Sequence, residues 1–128
     1  MAHTSAAIEV DRALTGEEVA LVRWLLEHGE ADNATYLEQL KLARVRRLCP
    51  CGCASIDFSV AGQVPPRGGM DVRSDFQWRS EAGHLNGAYV YAQGGILAGL
   101  DLWSIDGGET PDTLPSTKAL VPYGSPQA

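Results

Sequence analysis

The sequence predicts an α+β fold: an N-terminal helix pair packed on an antiparallel sheet of about five strands. Three observations carry this. Helical periodicity is confined to the early part of the chain, and period-two alternation dominates the rest. Turns bearing glycine or proline then divide that remainder into hairpins. Helices followed by runs of strands belong to α+β architectures, and the helix pair is the only sizeable apolar cover for one sheet face. The 128 residues suit one domain, 1–128, with 1–13 and 122–128 expected to be weakly ordered.

The first helix has a strong start. Thr15 and Glu18 have the spacing of a capping box, and Leu14 with Val19 can form a hydrophobic staple. Val19, Val22, Leu25 and Leu26 recur at helical spacing, with Leu21 and Trp24 widening the apolar face. Gly29 is placed as a C′ residue, and His28 sits in the last turn. Asp32 or Asn33 caps a second helix from near Ala34, burying Tyr36, Leu37 and Leu40. It gives way to a strand near Leu42 or Ala43.

Ala43 to Val60 reads as a β-hairpin closed by Pro50-Cys51-Gly52. Pro50 suits the first central position of a type I turn, and Gly52 suits the left-handed position after it. That geometry sets Leu48 against Ala54, Arg47 against Ser55, Arg46 against Ile56 and Val45 against Asp57. It makes Cys49 and Cys53 opposite neighbours. Ala61 to Gly69 is a loop. Met70 to Arg79 alternates, with Met70, Val72, Ser74, Phe76 and Trp78 facing one way. Glu81 to Gly87 is a polar loop carrying His84. Ala88–Gln93, Gly94-Gly95 and Ile96–Ile105 form a second hairpin, and Phe58, Phe76 and Leu100 are expected in the core. The tail, with Pro111, Pro115, Pro122 and Pro126, should run extended, anchored by Leu114, Leu120 and Val121.

Composition excludes more than it names. The net charge of −6 argues against binding driven by nucleic-acid phosphates. No run is apolar enough to span a bilayer, and the first ten residues lack the character of a signal peptide. The expected location is the cytoplasm, where Cys49, Cys51 and Cys53 would be reduced thiols. Those thiols are the metal candidates, for zinc or copper(I), with His84 or His28 needed to complete a four-ligand zinc site. Turn geometry alone accounts for Pro50 and Gly52, and this plainer reading is preferred. A Cys49–Cys53 disulfide is within reach across the hairpin. Arg46 and Arg47 could activate a cysteine, with His84 as base, but no nucleophile motif surrounds any of them.

Arg47 is expected to pair with Asp57 diagonally across the hairpin. Tyr89 and Tyr91 share a strand face, and with Trp103 they suggest a partner surface. The binding candidates are therefore Arg47, Asp57, Tyr89, Tyr91 and Trp103. The expected function is a small cytoplasmic protein-interaction or regulatory module without catalysis or cofactor. Its expected partner is another protein, a basic one fitting the charge, with a homodimer left open. The alternative is a zinc-binding or thiol-redox protein using Cys49, Cys51 and Cys53, with His84 as a further ligand.

Two stretches carry a resemblance. Cys51-Gly52-Cys53-Ala54-Ser55-Ile56-Asp57, and Leu97-Ala98-Gly99-Leu100-Asp101-Leu102-Trp103-Ser104 followed by Leu114-Pro115, resemble a family of small uncharacterised bacterial proteins. Those proteins have a C-G-C-x-S-hydrophobic-D hairpin and a late L-x-x-L-[DE]-x-aromatic-S strand. Asp101 stands where the family often has Glu. The resemblance implies the helix-then-strand order and no mechanism. Cys49-Pro50-Cys51-Gly52 also resembles the opening of the SEC-C zinc motif, whose second cysteine-rich half this chain lacks.

Overall fold

Thr15 and Glu18 close the expected capping box, and the first helix grows from it. The computed structural model describes residues 7–126. Its first helix, α1, is Gly16–Glu27. Thr15 Oγ1 accepts from the Glu18 backbone N–H at 3.1 Å, and the Glu18 carboxylate accepts from the Thr15 N–H at 2.8 Å. Arg12 donates both Nη atoms to the same carboxylate, at 2.9 and 3.0 Å. A buried Glu18 is tolerated because its oxygens are fully engaged. Leu21, Val22, Leu25 and Leu26 form the buried stripe of α1, and α2, Ala34–Leu40, adds Leu40.

Seven strands form one antiparallel sheet, two more than expected. They are β1 (Ile8–Ala13), β2 (Ala43–Leu48), β3 (Ile56–Val60), β4 (Asp71–Arg79), β5 (Leu85–Gln93), β6 (Ile96–Ser104) and β7 (Val121–Pro122). Their order is β1-β2-β3-β6-β5-β4-β7: two three-stranded units joined through β3 and β6, with the tail returning as β7. Both additions are edge strands. β1 lies in the stretch expected to be weakly ordered. Its alternation, Ile8-Glu9-Val10-Asp11, breaks at Arg12, and the strand buries no residue, so it is too short a signal to count as a strand in sequence. β7 is two residues long, and Gln77 stitches the chain beyond it. The Gln77 amide donates to Ser125 O and accepts from the Gly124 N–H, both at 3.0 Å.

The helices cover one face of the sheet through β4, β5 and β6. Phe58, Phe76 and Leu100 lie in that core, as expected, at 0, 7 and 1 % exposure. Burying each such side chain contributes about 1.5–3 kcal/mol.

Two local expectations fail for physical reasons, and a third holds for a reason of its own. The first hairpin pairs Leu48 with Ile56, Arg47 with Asp57 and Val45 with Phe58, with an irregularity at Arg46. Its loop is therefore seven residues long, 49–55, rather than three. Residues 53–55 are drawn elsewhere: the Ala54 N–H donates to Pro111 O at 2.9 Å, and Ser55 Oγ accepts from the Leu102 N–H at 2.8 Å.

In β4, a bulge between Val72 and Ser74 breaks the alternation. Val72 and Met70 turn outward, at 39 and 49 % exposure, while Arg73 turns in at 9 %. Its guanidinium donates to Asn33 Oδ1 at 2.9 Å, pairs with Asp32 and Asp71, and lies over the Tyr36 ring. Asn33 returns the contact by donating to Arg73 O, at 2.9 Å, and to Leu26 O. It joins α1, α2 and β4 and makes no side-chain cap.

Gly29 follows the His28 C-cap of α1, the C′ position expected for it, but its φ is not in the left-handed region. A side chain there would collide with Arg73 O and Ser74, so the glycine serves close approach of the α1 terminus to β4.

Candidate functional site: the open sheet face and the cysteine turn

Because side chains alternate along a strand, burying Ala88, Val90, Leu100 and Leu102 turns Tyr89, Tyr91, Asp101 and Trp103 to the opposite face. Register then sorts this face into three rows. The first runs Arg47, Asp57, Gly99, Tyr91, Val72. The second is Asp101, Tyr89, Asp75, and the third is Trp103, Gly87, Gln77. All five candidate binding residues, Arg47, Asp57, Tyr89, Tyr91 and Trp103, thus share one face.

Two glycines shape it. A side chain at Gly99 would meet the Tyr91 ring and hydroxyl at 2.9 Å, so Tyr91 lies across that position. Its hydroxyl donates to Asp57 Oδ1 at 3.2 Å. Asp57 Oδ2 accepts from Arg47 Nε at 3.0 Å, directly across the strand pair rather than diagonally. Trp103 lies over Gly87 in the same manner, and its indole is 6.0 Å from the Tyr123 ring. The Trp103 N–H is buried with no partner among the described residues.

The face is electronegative and partly dry. Burial, then the neighbouring Asp101 carboxylate, raises the Tyr89 phenol far above its usual value of 10.0. Burial, then Asp57, does the same for Tyr91. Desolvation raises the Asp75 carboxyl too. The two rings are 5.9 Å apart between centroids.

Asp75, Asp101 and Ser55 were missed in sequence. Ser55 Oγ donates to Asp101 Oδ1 at 2.8 Å and lies 3.2 Å from Cys53 Sγ, tying the sheet face to the cysteine turn. The signal for Ser55 and Asp101 was their place in the two stretches that carry the resemblance.

Within the turn, Gly52 has the expected left-handed conformation, φ 90°, and its N–H approaches Cys49 O at 3.5 Å. Cys51 is at the exposed tip. Against the expectation of three reduced thiols or a Cys49–Cys53 bridge, Cys49 is bonded to Cys51 and Cys53 is free. The register explains this. The ladder stops at Leu48 and Ile56, so Cys49 and Cys53 are not cross-strand neighbours, and the turn folds Cys51 back over Cys49.

Cys53 Sγ is 2.9 Å from Cys51 Sγ, and the three sulfurs lie within 4.8 Å of one another. His84 does not join them. It packs against Gly108 with Nδ1 3.5 Å from Asp106 Oδ2. His28 stacks on Trp24, with ring centroids 4.0 Å apart.

No protein-family model, no curated protein and no solved structure matches this chain. Among the described residues, no helix is long and apolar enough to cross a membrane.

Proposed function

We propose that the chain is a binding module whose open sheet face docks a basic protein surface. One observation carries the reading. Tyr89 and Tyr91 are set among three carboxylates, those of Asp57, Asp75 and Asp101, and among the described residues only Asp57 is ion-paired there, with Arg47. Tyrosines supply contact area at low entropic cost, and a hydroxyl held among carboxylates orders the surface before a partner arrives. Asp75 and Asp101 would attract lysine or arginine, and the net charge of −6 favours the encounter. The resemblance noted above supplies no activity to set against this reading.

The test uses isotopically labelled protein titrated with an arginine-rich peptide. Amide shifts should concentrate on β5, β6 and the adjoining residues of β3 and β4, weakening with salt. Asp75→Asn with Asp101→Asn should reduce affinity about tenfold or more, corresponding to 1.4 kcal/mol. Shifts confined to the acidic residues of α1, or an affinity unchanged in the double variant, would overturn the reading.

A further inference from the structure

The binding reading leaves the cysteine turn unused, yet its three sulfurs converge within 4.8 Å. An ion bonded to sulfur at about 2.3 Å, in trigonal geometry, sets its three sulfurs about 4.0 Å apart. That spacing lies inside the 4.8 Å within which the turn already holds its three sulfurs. Cys51 sits at the exposed tip, and among the described residues a side chain added at Gly52 would meet open space. Cys53 is positioned from beneath by Ser55, which Asp101 and the Leu102 N–H hold in turn.

No histidine or carboxylate among the described residues completes the group to four. A closed structural zinc site wants four ligands, whereas soft monovalent copper is satisfied by thiolates alone. Ligand count therefore selects the ion.

We propose that Cys49, Cys51 and Cys53 hold one three-coordinate copper(I) ion once the Cys49–Cys51 bond is reduced. Reduction by a dithiol transfers two electrons and two protons to the bridge. It yields two cysteine thiols and the oxidised dithiol. Three thiols then bind one copper(I), forming three copper–sulfur bonds and releasing three protons; copper keeps its oxidation state. The oxidised turn cannot bind in this way, so ion capture follows the redox state of Cys49 and Cys51.

The experiment titrates reduced, reductant-free protein with copper(I) under anaerobic conditions, against a chromogenic copper(I) chelator. Thiol alkylation and mass measurement follow each addition. One ion per chain should protect all three cysteines together, with sulfur-to-copper charge-transfer absorption. Cys49→Ser, Cys51→Ser and Cys53→Ser should each abolish three-thiol protection and release copper to the chelator. Circular dichroism of each variant establishes that it is folded. Pre-oxidised protein should not bind. Protection of only two thiols, affinity unchanged in any serine variant, or zinc held in preference to copper(I) would each overturn the proposal. The arginine-rich peptide titration of the unmutated protein is independent of it, because that surface does not include the sulfurs; Asp101 is the residue both arguments share.

Discussion

The two faces of the sheet are built from adjacent residues by opposite rules. Toward the helices, Phe58, Val90 and Leu100 are buried and hydrogen-bond to nothing through their side chains. Toward the open side, Asp57, Tyr89, Tyr91 and Asp101 alternate with them and are organised by hydrogen bonds and charge. Non-directional burial supplies most of the stability. Directional contacts fix where a few rings and carboxylates point. The difference implies that mutations on the covered face should change folding, and those on the open face should change recognition and titration.

The strongest break in that comparison is Phe58→Ala. It should cost about 3–5 kcal/mol, because the cavity forms where the side chain is fully buried. The denaturant midpoint measures it. Arg73→Met comes next, at about 2 kcal/mol, since Asn33 Oδ1 loses its buried donor while the apolar stem remains. An unchanged midpoint would show that the interior polar bridge contributes nothing.

Thr15→Ala should cost about 1 kcal/mol by removing the cap of α1. Acid sharpens this region. Burial alone would raise the Glu18 carboxyl, but hydrogen bonds from Arg12 and Thr15, with the Arg12 charge, outweigh it and lower it below 4.5. A lowered carboxyl stabilises the fold above its unfolded value, and that contribution is lost as pH falls through the folded value. Glu18→Gln should therefore flatten the acid side of a stability–pH curve.

The smallest effect on stability belongs to the open face. Tyr91→Phe should cost less than about 1 kcal/mol. The same tyrosines should show themselves in an ultraviolet titration, because Tyr89 and Tyr91 ionise well above 10.0. Unfolded tyrosines lose protons first, so their stabilising contribution is complete below 10.0 and declines as pH rises beyond it. Asp101→Asn should bring the Tyr89 transition downward. Four ordinary transitions would contradict the environment described for this face.

The parts legible in sequence were those governed by local rules. The Thr15 cap, the stripe of α1 and the left-handed Gly52 follow from neighbours a few residues apart. Bulges hid the rest. One at Arg73 reversed the exposure expected for Met70 and Val72 and put a guanidinium inside. Another, between Tyr91 and Ala92 in the β5–β6 register, sets Asp101 rather than Leu100 opposite Tyr89. Simple counting back from the Gly94-Gly95 turn would miss that acid. The open face was half visible: Tyr89 and Tyr91 were legible from alternation, whereas their carboxylate neighbours depended on register between strands. The convergence of three sulfurs depended on how the loop folds, which spacing could only suggest.

The short strand at the far side of β4 has a consequence for self-association. Pro122, paired with Phe76, presents no N–H, and Gln77 fastens the chain that follows with two hydrogen bonds. An incoming extended segment, whether from a misfolded copy or a growing fibril, must first displace this clasp to template onto β4. Destabilising the clasp by Gln77→Ala should therefore shorten the lag before aggregation more than it lowers the melting temperature.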